Sequence, residues 1–404
     1  MTEQPAPHWA TELLGESVRL VDVLGGGTSR TTILLEVPPA QRLVARHDGG
    51  AGPLSGTPFT LRREAAAVAA ARAAGIPAAT VVAEAPDGRS YAVEALPGRP
   101  DDTGAALDDY LAVLGRLHAT GLDHAPTGYA GFDPDGREDL QLWEQIAGER
   151  VRRPHPALDA AFAALRDHGA LSPPDVVLCH GDAGTGNYLA DGDRVTGVVD
   201  WEMSHTGDPH DDLASVAVRA ALTGLDVGDL VARAQARWEP AAGRTLDRRR
   251  FDLAVTGVLA RMVVSCLVAL DNAEPGTDRT VQLMGYPVME AMLLRSLAAL
   301  DGAALAPVAD VAPDPAFAAE VAGLLAEDLA APLPGASDAD AGRRRRLRYL
   351  ADQLGRALGG REGAPSCPDP TDLPALWLDC QRRLAVLPAS RRLAESPIPG
   401  ATWC

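Results

Sequence analysis

The sequence predicts an α+β chain in two lobes, a small five-stranded sheet lobe with one helix and a larger helical lobe, followed by a C-terminal all-helical domain. Three observations carry this expectation. Short strand-like runs separated by Gly-rich turns fill the chain up to residue 96; apolar residues then recur at helical spacing; and an Ala- and Pro-rich stretch without periodicity, 301–315, interrupts that pattern before residues 316–404. The boundaries that follow are 1–96 for the sheet lobe, 97–300 for the helical lobe, 301–315 for a linker and 316–404 for the tail domain.

In chain order, Val18–Leu24 leads into a glycine cluster, Gly25 to Gly27, and Thr31–Val37 and Arg42–His47 read as the next strands. Thr57 and Pro58 open a helix whose apolar face is Leu61, Ala65, Val68 and Ala69, closed by Gly75 and Pro77. Thr80–Ala83 and Ser90–Ala95 complete the sheet. The turn-rich run Leu96 to Pro100 connects to helical patterns at 105–120, 138–150 and 156–168. Two strand-like runs, Val176–Cys179 and Val195–Val199, flank a segment rich in Gly and Asp. Helices continue from Asp211, with Phe251, Val255, Val258, Leu259, Met262, Cys266 and Leu270 as the clearest core stripe.

Composition narrows the chemistry. The 404 residues carry a formal charge of -18, and all 37 basic side chains are arginine. Without lysine there is no Schiff-base chemistry and no P-loop lysine. The acidic excess argues against nucleic acid or an anionic membrane as partner, since both need a positive field. All of that excess lies in residues 1–315, because 316–404 holds 11 Arg and 11 acidic residues. In the tail, Arg343 to Arg346 run into Leu347, Leu350, Leu354 and Leu358 at helical spacing, which reads as a solvated helix face, with an anion or RNA patch as the alternative. Five scattered cysteines without a C-x-x-C pair, and an N-terminus lacking a basic region and apolar core, predict a cytoplasmic protein. Leu253–Leu270 carries Arg261 at its centre and reads as a buried helix rather than a membrane span.

The chemistry concentrates in Cys179–Asn187 and Gly197–Glu202. Asp182 and Asn187 stand five positions apart, and Asp200 follows after the turn Asp191-Gly192-Asp193. Phosphoryl transfer needs an acceptor for the hydroxyl proton and oxygen ligands for Mg2+, and this order of Asp, Asn and Asp supplies both. Asparagine occurs only at Asn187 and Asn272, so its placement here is informative.

The motif His180-Gly181-Asp182 with Asn187, then Val198-Val199-Asp200-Trp201-Glu202, then Gly207-Asp208-Pro209 with Asp212 and Leu213, resembles the aminoglycoside phosphotransferase and choline kinase family. That family shares a protein-kinase-like fold, and the resemblance extends over residues 15–300. It implies an enzyme that transfers the γ-phosphoryl group of ATP or GTP, with Mg2+, to a hydroxyl of a small molecule, either aminoglycoside-like or a hydroxylated metabolite such as a hydroxyacyl-CoA. Asp182 is then the catalytic base, and Asn187 and Asp200 hold the metal. Gly26, Gly27, Thr28 and Ser29 cover the phosphates, Arg46 stands where relatives place lysine and pairs with Glu64, and Glu94 and Leu96 meet the adenine. His180 fixes the catalytic loop, and Asp212 ties the following helix to it.

Other readings compete. Asp182 and Asp200 can be turn residues, Glu64 an exposed helix residue beside Arg62 and Arg63, and Arg46 a solvated strand end. His180, His205 and His210 with Asp208 and Asp211 could be a zinc cluster, although no metal-ligand spacing supports it. Glu202 and His205 border an acceptor pocket in the enzyme reading. The glycine segment departs from G-x-G-x-x-G, which with Arg46 supports an alternative, a nucleotide-binding pseudokinase scaffold. Oligomeric state is not legible in the sequence.

Overall fold

A computed structural model of the chain describes residues 4–15, 18–24, 30–50, 52, 54–272, 279–305, 314, 317–319, 321–323, 372–387, 394, 397–399 and 401. Two compact units are present. The first comprises Met1–Leu142, Ala170–Ala254 and Ile398–Gly400, and the second Trp143–Gly169, Val255–Pro397 and Ala401–Cys404.

The first unit begins with an antiparallel sheet. Five strands, β2 (Arg19–Leu24), β3 (Thr31–Val37), β4 (Gln41–His47), β5 (Val81–Glu84) and β6 (Ser90–Glu94), are extended by a two-residue edge strand, β1 (Gln4–Pro5), in the order β1-β2-β3-β4-β6-β5. Alternation along the strands sorts side chains onto two faces. Ile33, Leu35, Ala45 and Ala92 pack on one face against Ala10, Trp9 and Leu13 of α1 (His8–Leu14), a helix that the sequence pattern did not predict. On the other face Tyr91 and Val93 meet Leu61 and Ala65 of α2 (Leu61–Ala73). Arg46 and Tyr91 are direct cross-strand partners, so both belong to the face that α2 covers.

Helix α2 begins later than its sequence signal suggests. Thr60, not Thr57, caps it, with Thr60 extended and its side chain accepting from the Arg63 amide at 3.2 Å. The rotation of the helix also differs: Ala69 is exposed, while Arg63 and Glu64 are buried. Polar side chains turn inward here because ionic and carbonyl partners await them, described below.

The remaining elements of this unit surround the segment from Cys179 to Glu202. Strand β7 (Arg99–Pro100) pairs with β9 (Tyr188–Asp191), which pairs with β10 (Arg194–Val198) across the turn at Gly192; β8 (Val177–Cys179) pairs with β11 (His205–Gly207). Around them pack α3 (Leu107–Ala119), α6 (His210–Thr223) and α7 (Leu230–Ala242). Helix α4 (Glu138–Arg150) spans a predicted helical pattern.

The second unit is helical, with α5 (Pro156–Asp167), most of α8 (Arg248–Asn272), α9 (Thr280–Leu300) and α10 (Leu373–Val386). Of the predicted α8 stripe, only Met262 is less than fully buried. Helices α8 and α9 are long and apolar enough to cross a membrane by length and composition, but 83% and 67% of their most apolar windows are buried inside the protein. Arg343 to Arg346 and the leucines after them lie outside the described residues, as does most of the predicted linker.

One ionic contact in this unit is nearly dry. Glu290 of α9 accepts from Arg383 Nε of α10 at 3.2 Å, and the two side chains are 4% and 13% exposed. Burial would raise the Glu290 pKa, but Arg383 and then His155 outweigh it and hold it below the ordinary carboxylate range. Removing one partner strands the other charge, so Arg383→Ala should cost about 3–5 kcal/mol in denaturant unfolding, and Arg383→Met with Glu290→Leu clearly less. A single-variant loss below about 1 kcal/mol would show that the contact carries no such weight.

Candidate active site

Strand β8 delivers the loop that carries Asp182. Its three residues are fully buried, and the chain must then turn sharply so that Asp182 leaves the core. Gly181 makes that turn at φ +84°, and a Cβ there would lie 2.0 Å from the Met203 carbonyl oxygen, so no other residue fits. Asp212 of α6, with no exposed surface, accepts the His180 amide on Oδ2 and the Gly181 amide on Oδ1, both at 2.8 Å. Its Oδ2 also contacts His118 Nε2 at 2.9 Å, and Trp238 Nε1 donates to His118 Nδ1 at 2.9 Å. Burial would raise the Asp212 pKa, but His118 and the backbone amides hold it below its ordinary value. The His180 ring contacts the Val199 carbonyl at 2.9 Å, joining the loop to the end of β10.

Asn187 and Asp200 meet through the backbone, because Val199 N donates to the Asn187 carbonyl at 3.0 Å. The Asn187 amide nitrogen donates to Asp182 twice, to its carbonyl oxygen and its Oδ2, both at 2.7 Å. That leaves the Asn187 amide oxygen for a cation. Asp200 has φ +65° and ψ +59°, the single non-glycine residue with positive φ among the described residues, and its side chain is 38% exposed. A strained aspartate kept at a strand end is a mark of a functional position.

Behind Asp200 lies a cluster of charge. Arg46 Nη1 donates to Asp200 Oδ1 at 2.9 Å and to Glu64 Oε1, while its Nη2 donates to Glu202 Oε2 at 3.1 Å. Arg30 Nη1 bridges Glu64 Oε2 and Glu202 Oε2, both at 3.0 Å, and Tyr91 donates to Glu64 Oε1 at 2.8 Å. Two guanidinium groups thus face three carboxylates. Burial, and next the charge of Asp200, push the Glu202 pKa up to about 7. The Arg46 pKa rises as well: burial would lower it, but Glu64 and then Asp200 outweigh burial and favour the charged form.

Glu64 is 1% exposed, which removes the reading of it as a surface helix residue, and Arg46 is likewise inside the cluster. Glu94 is exposed, its amide bonded to the Thr80 carbonyl at 3.0 Å, and Leu96 lies so close to Gly197 that a Cβ there would be 2.6 Å from its Cδ1. Gly26, Gly27, Thr28 and Ser29 lie outside the described residues. His205 is buried with Nε2 3.0 Å from Asp211, and His210 Nδ1 is 2.6 Å from Asp208, so these histidines face separate carboxylates. Among the described residues, His118, Cys179 and Asp212 also lie close enough to share an ion, yet Asp212 is already committed to two amides.

Three arginines were not anticipated as site residues. Arg30 follows the glycine segment directly. Arg63 runs from α2 to the carbonyls of Ala130 at 2.8 Å, Glu202 at 3.0 Å and Ser204, and lies over the Phe59 and Phe132 rings; burial pulls its pKa down to about 10. Arg219 Nη1 is 2.9 Å from both carboxylate oxygens of Asp182. Its spacing of seven from Asp212 places both on one face of α6, a signal available in the sequence.

The sequence matches the profile of the phosphotransferase enzyme family over residues 21–251, more than half of the chain. The chain belongs to that family. Among solved structures, a candidate aminoglycoside phosphotransferase from Ralstonia eutropha JMP134 is similar at 20% identity and a TM-score of 0.52, covering 70% of this chain and 94% of its own. A candidate fructosamine-3-kinase from Thermobifida fusca YX-ER1 is similar at 20% identity and a TM-score of 0.50, covering 73% and 98%. These likenesses concern the fold. No curated protein sequence matches the chain.

In this phosphotransferase the charge imbalance around Arg46 has a measurable consequence. A carboxyl whose pKa rises on folding binds its proton more tightly in the native chain. The stability it confers is therefore complete below about pH 4.5 and is lost as pH rises toward 7. Thermal unfolding midpoints of the wild type and Glu202→Gln, compared across that window, should diverge in slope, the variant being flatter. Parallel curves would place the excess negative charge elsewhere.

Proposed function

We propose that this phosphotransferase moves the γ-phosphoryl group of ATP or GTP to a hydroxyl of a small molecule, with Mg2+ held by Asn187 and Asp200. The observation that carries the reading is the arrangement of one base and two oxygen donors: the Asp182 carboxylate, the Asn187 amide oxygen left over by its bonds to Asp182, and the exposed part of Asp200. Hard oxygen donors of this kind suit Mg2+, which when bound neutralises charge between phosphates.

The chain's own residues account for the rest. Asp182, 23% exposed and oriented by Asn187, accepts the hydroxyl proton. Arg46 supplies fixed positive charge beside Asp200, a group suited to phosphate oxygens. Arg63 and Arg30 hold the Glu202–Ser204 turn so that Asp200 stays in place. Amino sugars and hydroxyacyl thioesters are the acceptor classes to screen, and the buried thiols of Cys266 and Cys380 agree with a reducing cytoplasm.

Asp182→Ala should lower turnover by about 10²–10⁴ with nucleotide affinity nearly unchanged, since a general base acts in the transition state. Asp200→Ala should abolish the Mg2+-dependent part of nucleotide binding in calorimetry. Retained turnover in either variant would overturn the corresponding role. Metal-independent nucleotide binding by the wild type, with no phosphorylated product from any acceptor, would favour the scaffold reading.

A further inference from the structure

The catalytic carboxylate is not free in this structure. Arg219 Nη1 contacts Asp182 Oδ1 and Oδ2 at 2.9 Å each, and its Nη2 donates to the Thr185 carbonyl at 3.1 Å. The arginine is built into the loop. A Cβ on Gly184 would lie 2.7 Å from Arg219 Cδ and 3.0 Å from its Nε, so Gly184 is glycine where the arginine stem passes. The stem rises from α6 two turns beyond Asp212, so one helix grips the same loop twice. Its side chain is 25% exposed and its Nε is buried without a partner. A permanently charged fork with donors to spare therefore stands within hydrogen-bond distance of the atom that must receive the acceptor's proton.

We propose that Arg219 is a specificity residue that selects acceptors carrying an anionic group, a carboxylate or a phosphate ester, close to the reacting hydroxyl. The proposal rests on the phosphotransferase reading above and adds the substrate class. A hydroxyl reaching Asp182 brings its neighbouring substituents against the guanidinium. An ammonium there meets a like charge, whereas an anion takes over the Nη1 contact that the carboxylate now occupies and frees it to act as base. In the step itself the hydroxyl proton passes to Asp182 and the hydroxyl oxygen bonds the γ-phosphorus of the nucleoside triphosphate. The bond from that phosphorus to the β–γ bridging oxygen breaks, and its electron pair departs with the nucleoside diphosphate. The chain's overall acidity would predict the opposite preference, so the two can be separated.

Four acceptors built on one three-carbon diol isolate charge: glycerate, glycerol 3-phosphate, glycerol and 3-amino-1,2-propanediol, each supplied with Mg-ATP to the full chain. The wild type should use one or both anions at least about 10-fold better in kcat/KM than glycerol, and the amine worst. The two anionic arms separate carboxylate from phosphate. In Arg219→Ala the anion preference should collapse, chiefly through KM, while the amine improves relative to glycerol; Arg219→Lys should restore part of the preference. Thermal midpoints and Arg219→Gln guard against misfolding. Equal use of all four acceptors, preference for the amine, ATP hydrolysis by water without transfer to any of them, or a preference that survives Arg219→Ala and Arg219→Gln would each overturn the proposal. Neither transfer nor ATP hydrolysis by the wild type would instead overturn the phosphotransferase reading on which it stands.

Discussion

Two guanidinium groups and three carboxylates share one volume at the edge of the sheet lobe, and the geometry of the site depends on how they divide the charge. Arg46 comes from β4, Glu64 from α2, Asp200 and Glu202 from the turn after β10, and Arg30 from the start of β3. No single pair would be worth burying, because desolvating two ions costs about as much as their attraction returns. A network differs, since each group meets several partners and removing one leaves the others stranded. It therefore acts as a register, setting where α2 sits over the sheet and where Asp200 is presented. Strand alternation makes this possible: Arg46 and Tyr91 are cross-strand partners on the face opposite Ala45, and so both lie under Glu64.

Charge in this protein must be read at two ranges. The net charge of -18 spreads over the surface and is screened beyond roughly 8 Å at physiological salt. It can raise the local concentration of cations. At the carboxylate of Asp182, however, the nearest charge is a guanidinium 2.9 Å away, and at such distances a unit charge acts with about 4 kcal/mol at an effective dielectric near 20. The close interaction outweighs the diffuse one. Formal charge summed over a chain is thus a poor guide to what an acceptor meets at the reacting atom.

What the sequence made legible follows the range over which each feature is encoded. Asp182 and Asn187 lie on one short loop and are hydrogen-bonded, and Asp200 is one hairpin away, where its neighbour Val199 bonds the Asn187 carbonyl, so local spacing carried through to the structure. The five main strands and most helices were legible for the same reason, being periodic over a few residues. The partners of Arg30 and Arg63 lie up to 172 residues distant, and nothing in a local window distinguishes an arginine that will bury from one that will not. Helix α2 shows the failure most clearly: hydrophobic spacing put Ala69 inside, but Arg63 and Glu64 found partners there and rotated the buried face toward themselves. Arg219 could have been found from its spacing to Asp212, since both lie on one helix face.

A chain without lysine can set only a guanidinium as the fixed cation beside Glu64 and Asp200, and the structure shows what that group reaches. An ammonium is a compact point charge on one nitrogen, whereas the Arg46 fork reaches Glu64 and Asp200 through Nη1 and Glu202 through Nη2. The fork thus ties helix, strand and the turn that carries Asp200 and Glu202 together at once. The broader cation also reaches a third carboxylate, Glu202, whose pKa burial and then the charge of Asp200 push up to about 7. The reach of the Arg46 fork and the raised pKa of Glu202 are therefore two aspects of one charge balance.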